Sequence, residues 1–117
     1  MDVTPYLANL RRMQAEADAA DEARAAVARA ALPALVKLLV DRLGVTRVVL
    51  FGSLLEGRLH ERSDIDLAVA GLAPERYWEA LWRAAEIAGR DVDLVPLEEA
   101  SESLRERIET SGEVLHG

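Results

Sequence analysis

Apolar residues recur along this chain with two different periods, and the alternation between them predicts its elements. From Thr4-Pro5 to about Leu32, Leu7, Leu10, Met13, Ala17, Ala20, Ala23, Val27 and Ala30 recur at steps of three or four in a background of Ala, Glu, Asp and Arg. That spacing predicts a long helix with a thin, mostly alanine stripe. Thr4 serves as the N-cap, with Pro5 at the first helical position. Such a stripe reads as a partly exposed helix, or as a docking surface for another protein or a second copy. Pro33 should kink or restart the helix, after which Leu35, Leu38, Leu39 and Leu43 give a stronger apolar face ended by Gly44.

The period then changes. Arg47 to Phe51 is short and rich in β-branched residues, which predicts a buried strand. Gly52-Ser53 breaks it, a helical turn to about Arg58 and a polar loop to Ser63 follow, and Asp64 to Val69 alternates polar with apolar as a second strand. A helix opened by Pro74 and closed by Gly89 carries Trp78, Leu81, Trp82 and Ala85 on one side, which predicts that both tryptophans pack in the core against the sheet. Asp91 to Val95 reads as a third strand. A last helix runs from near Ser101 to Gly112 with Leu104 and Ile108 inward, and Val114 and Leu115 pin the tail. The pattern is that of an α/β (α+β) fold, a small β-sheet flanked by helices, with a helical extension over 1–32 and the main domain over 33–117.

Composition narrows the chemistry. The net charge is −7 over 117 residues, which argues against a nucleic-acid-binding role dominated by phosphate contacts. An acidic chain can still bind a nucleotide when divalent cations reverse the local sign. With no cysteine, thiol nucleophiles, thiolate metal sites and disulfides are excluded. The first residues lack the basic-then-apolar layout of a secretory leader, and Ala31 to Val40 is too short and too interrupted to span a bilayer. The expectation is a cytoplasmic protein with no membrane association. His60 and His116 are isolated and form no metal site.

Phe51-Gly52-Ser53 is followed, after ten residues, by Asp64-Ile65-Asp66-Leu67. On a strand Asp64 and Asp66 point the same way. Carboxylates held this close repel unless protons or cations lie between them, and an oxygen-only donor set suits magnesium or manganese. Asp93 is a lone acid in Val92-Asp93-Leu94-Val95. If the third strand lies beside the second, Asp93 can join the other two, and three carboxylates can bridge two metals. Gly52 allows a phosphate close to the backbone, and Ser53 can donate one more hydrogen bond. Singly these signals are weak: Asp-x-Asp often starts a strand, and Gly-Ser is often a turn. Their combination is specific.

Taken together, Val48-Val49-Leu50-Phe51-Gly52-Ser53, the ten-residue gap, Ser63-Asp64-Ile65-Asp66-Leu67-Ala68-Val69 and Val92-Asp93-Leu94-Val95 resemble the signature of the DNA polymerase β-like nucleotidyltransferase superfamily in its minimal form. The segments Leu104 to Ile108 and Gly112 to Leu115 resemble the end of these short proteins, so the likeness spans roughly Leu38 to Leu115. The resemblance implies a mixed sheet flanked by helices and two Mg2+ ions on Asp64, Asp66 and Asp93. It also implies ATP as donor, with its triphosphate held by Gly52 and Ser53. Many minimal members are paired with a helical HEPN-type protein, which implies an antitoxin that moves AMP onto a hydroxyl of its partner.

Two other functions fit the same residues. One is a small-molecule nucleotidyltransferase of the aminoglycoside-modifying type, which would need a second domain or a homo-oligomer to build its acceptor pocket. The other is a binding module that neutralises a partner by occlusion. The latter is kept open by Glu56, which stands where the family often carries arginine, with Arg58 or Arg62 as possible substitutes.

Overall fold

A computed structural model describes residues 1–117. Helix α1 (Thr4–Lys37) leads through a wider turn at Leu38–Arg42 into strand β1 (Arg47–Phe51). A single 3-10 turn (Ser53–Glu56) and a loop connect β1 to β2 (Ile65–Ala70). Helix α2 (Tyr77–Ala88), entered by a short turn at Pro74–Arg76, crosses to β3 (Val92–Pro96). Helix α3 (Glu102–Ser111) and β4 (Glu113–His116) complete the chain. The sheet order is β3-β2-β1-β4, with β2 and β3 parallel and the other pairs antiparallel. This is the sheet flanked by helices expected from the pattern, and it is mixed, as the resemblance implies. No helix is long and apolar enough to cross a membrane.

Alternation along the strands divides the core between the two faces of the sheet. Val48 and Leu50 of β1, Ile65, Leu67 and Val69 of β2, and Val92 and Leu94 of β3 turn to one face. There they meet Ala25, Ala28, Leu32 and Leu35 of α1 and Ala80 and Ala84 of α2. Val49 and Ala68 turn to the other face, where Ile108 of α3 and Leu97 cover them.

Several local expectations give way. The helix does not restart at Pro33. It runs through, because Pro33 is exposed and the carbonyl left without a donor one turn back can be hydrated. Thr4 is the first helical residue and not the N-cap, which is Val3 without a side-chain cap; the Asp2 carboxylate accepts from the Thr4 N–H at 2.9 Å. The alanine stripe is also out of phase. The buried face of α1 is Asp21, Ala25, Ala28, Leu32 and Leu35, while Val27 is 72% exposed and Leu7, Leu10 and Met13 face water. When most stripe positions are alanine, burying one face differs little in energy from burying its neighbour, so the tertiary contacts choose.

The tryptophans fail for a related reason. Trp78 and Trp82 are 77% and 61% exposed. Ala80 and Ala84 face the sheet in their place, since small side chains let α2 approach both the strands and α1. Gly89, at φ 68°, ends α2 in a left-handed conformation suited to glycine. The tail does more than pin the body: it adds β4 beside β1, with Leu115 against the main core and Val114 outward.

Candidate active site: the acidic edge of the sheet

The less covered face of the sheet carries the acids. Register pairs Phe51 with Asp66 across β1 and β2, and Asp66 with Asp93 across β2 and β3. Neighbouring strands lie about 4.8 Å apart and paired side chains share a face, so Asp66 and Asp93 stand side by side. Asp64 lies just ahead of β2 and is exposed, as is Asp93, while Asp66 is half-buried. Burial raises the Asp66 carboxyl above its ordinary pKa, and the charges of Asp93 and Asp64 raise it further. The three predicted acids are therefore near enough to act on one another. They are not closed into a ligand set, since no group of three acidic, histidine or cysteine side chains is disposed to hold a metal ion. Their chemistry fits magnesium: all donors are oxygens, and the central one is a half-buried carboxylate short of counter-charge. Asp91 stays outside, contributing its carbonyl to the Ile65 N–H at 3.1 Å.

Gly52 closes the constellation. Its φ is 79°, and a Cβ at this position would collide with the Asp66 carboxylate. Only glycine lets the end of β1 turn this close to the central acid. Ser53 follows, exposed, as the first residue of the 3-10 turn. A cleft of about 420 Å3 opens between that turn and α3, bounded by Gly52, Leu55 and Glu56 on one side and by Leu104, Arg107 and Ser111 on the other. A larger cavity of about 520 Å3 lies between the start of α2 and the end of β3, lined by Tyr77, Trp78 and Glu98 among others, and contains none of the predicted residues.

Residues that the sequence pattern did not single out fix the loop leading to Asp64. Asp21, nearly buried on α1, takes the Arg24 guanidinium at 2.7 Å and the His60 Nδ1 at 2.9 Å. Arg24 Nε also donates to the Leu59 carbonyl at 2.9 Å, and the Leu59 N–H donates to the Asp21 carbonyl at 3.1 Å. The hydrogen bond from Arg24 is the main reason the Asp21 carboxyl lies below its ordinary pKa, with His60 adding to it. From the other side Arg90 donates to the carbonyls of His60 and Ser63 at 3.2 and 2.6 Å. The polar loop is thus clamped between α1 and the turn before β3. Tyr77 is a further neighbour of the acids: its hydroxyl donates to the Leu94 carbonyl at 2.7 Å, and burial, then Asp93 and Glu99, push the phenol pKa up. The only sequence signal for the clamp was an aspartate and an arginine three apart on a helix, and such pairs are common on exposed helix faces.

Comparison with known proteins identifies what this chain is similar to. The family described as polymerase beta nucleotidyltransferase matches residues 34–117. The protein adenylyltransferase MntA of Shewanella oneidensis is 38% identical over 87 residues, which are 71% of this chain and 63% of MntA. The chain thus spans less than two thirds of that curated relative. Among solved structures, a toxin-antitoxin complex with AMP-PNP superposes with a TM-score of 0.64 at 38% identity, covering 71% of this chain and 70% of the other. A complex of tri-AMPylated Shewanella oneidensis HEPN toxin with MNT antitoxin superposes with a TM-score of 0.62 at 32% identity, covering 77% and 72%.

Proposed function

The chain belongs to the polymerase beta nucleotidyltransferase family, and from that premise we propose that it transfers AMP from ATP to a hydroxyl of a HEPN-type partner protein and so acts as an antitoxin. The observation that carries this reading is the meeting of Gly52 with Asp66, Asp93 and Asp64 at one end of the sheet. The relative's adenylyltransferase activity, and the AMPylated HEPN toxin held by a structural neighbour, support the donor and the acceptor class. The AMP-PNP complex of another neighbour supports ATP.

In the proposed reaction the acceptor oxygen attacks the α-phosphorus. A new O–P bond forms, the bond to the bridging oxygen breaks, pyrophosphate leaves and the hydroxyl proton passes to solvent water. Asp64, Asp66 and Asp93 would hold magnesium, which supplies charge neutralisation and a lowered pKa for the attacking hydroxyl when bound. Gly52 keeps the backbone accessible to the phosphates, and the Ser53 hydroxyl donates to them. The clamp on the Leu59–Ser63 loop holds Asp64 in position, since transfer of this kind depends on orientation more than on covalent chemistry. The absence of cysteine supports a reducing, cytoplasmic setting.

Mass spectrometry tests the reading. A HEPN-type partner mixed with this protein, magnesium and ATP should gain one or more AMP units on a hydroxyl side chain, and Asp66→Asn should remove the gain. Glu56 in the cleft keeps one rival in view, neutralisation by occlusion. If Asp64→Asn and Asp66→Asn proteins neutralise the partner as fully as the unmodified protein, occlusion replaces catalysis.

A further inference from the structure

A triphosphate approaching Gly52 meets an acidic environment. Asp64, Asp66 and Asp93 lie on one side, Glu56 lines the cleft itself, and the chain carries a net charge of −7. Even with magnesium bound, the nucleotide keeps negative charge, and the cleft needs a cation for it. The arginines near the Gly-Ser turn in sequence do not supply one. Arg58 points to Asp18 on α1, at 3.8 Å, and Arg62 is exposed and lines no cavity near Gly52. Most other cations are engaged: Arg24, Arg29, Arg47, Arg76 and Arg83 in ion pairs, Arg90 and Arg105 with backbone carbonyls. Lys37 and Arg42 line a separate cavity.

The one basic side chain that bounds the cleft together with Gly52 is Arg107, more than fifty residues away in sequence. Its neighbour Ile108 is 2% exposed and locked against Val49 and Ala68. Arg105 ties the same helix to the Leu97 carbonyl at 3.1 Å. Helix α3 is therefore held on two sides, while the Arg107 side chain is exposed and its guanidinium enters no ion pair or hydrogen bond; only the Arg107 backbone carbonyl accepts, from Thr110 Oγ1.

We propose that the Arg107 guanidinium binds the triphosphate chain of the nucleotide from across the cleft, supplying from α3 the cation that the Ser53–Glu56 turn lacks. This rests on the reading of the chain as an ATP-using nucleotidyltransferase. The planar fork of arginine matches phosphate oxygens two at a time, and a preorganised charged donor loses little entropy on binding. Glu56 works against it, so the pair sets the affinity of the cleft between them.

The test is direct binding of magnesium-ATP, with magnesium tripolyphosphate as a competitor that has no base or sugar. Arg107→Ala should weaken both ligands about 10- to 100-fold, the loss of one hydrogen-bonded charged partner. Arg107→Lys should fall between, and Glu56→Gln should tighten both ligands several-fold. Both positions are exposed, so thermal unfolding of all three variants should match the unmodified protein. Unchanged binding by Arg107→Ala, or a loss that falls on Arg58→Ala or Arg62→Ala in its place, overturns the assignment of Arg107 alone. An unmodified protein with no affinity for magnesium-ATP overturns the nucleotidyltransferase reading as well.

Discussion

The two faces of the sheet are built for different purposes. One is closed by α1 and α2 over a continuous apolar cluster that includes Leu35, Leu39, Leu50 and Leu67, all with no exposed surface. The other has a small cluster around Val49, Ala68, Leu97 and Ile108, covered by α3 and the turn at Leu97, and gives the rest of its area to Asp66, Asp93 and the cleft beside Gly52. The first face lowers the free energy of the folded state. The second gives back part of what its smaller apolar cluster contributes, since Asp66 sits half-buried near like charges. A domain this small can carry that cost because the strain is confined to one edge and the opposite face offsets it.

The sharpest way to separate the faces is to change one residue on each. Asp66→Asn should lower AMP transfer at least about 100- to 1,000-fold, because the central carboxylate is the one nearest both others and Gly52. The same substitution should raise the melting temperature of the free protein by about 2 °C by relieving the repulsion. A loss of stability together with activity would mean that the acidic face also holds the fold. Leu39→Ala, on the apolar face, should do the opposite. It should cost about 2–5 kcal/mol of stability and lower the melting temperature by roughly 10 °C or more. Transfer per folded molecule should stay within about twofold. Denaturant unfolding beside a single-turnover assay measures both quantities.

The clamp between the faces gives a smaller effect with a pH signature. Asp21 has its pKa lowered in the folded state, so its contribution is fully present above the unfolded value of about 3.9 and is lost as pH falls through the lower folded value. Asp21→Asn should lower the melting temperature near neutrality, because the Arg24 and His60 contacts are lost. The gap between the two proteins should close below about pH 3.9, as followed by thermal melts across pH. A gap that persists in acid would assign the loss to packing. The smallest effect belongs to the exposed tryptophans: Trp78→Ala and Trp82→Ala should each change stability by under about 0.5 kcal/mol. A loss of several kcal/mol would return them to the core from which the structure removes them.

The first three strands and the candidate acids on them were legible in the sequence because both are short-range patterns, whereas β4 was read only as a pinned tail. Arg47 to Phe51, Asp64 to Val69 and Asp91 to Val95 announce themselves by β-branched residues and alternation, and their bounds hold to within a residue. Asp66 and Asp93 could be placed together once β2 and β3 were taken as neighbours. The long helices were legible as elements and illegible as faces. With alanine at most stripe positions of α1, the periodicity contained almost no preference for which side to bury, and in α2 the size of the tryptophans pointed to the wrong side.

By itself, then, the sequence determined most of the elements and the family and picked out the candidate acids, since each depends on residue type and local spacing. The tertiary structure alone decided what meets across long separations. It put Asp21 against His60, Arg24 against Leu59 and Arg107 across the cleft from Gly52, and it turned Ala80 and Ala84 inward in place of Trp78 and Trp82. Those contacts follow from how helices settle on a twisted sheet, where fit and close approach outweigh the apolar area any one side chain could bury.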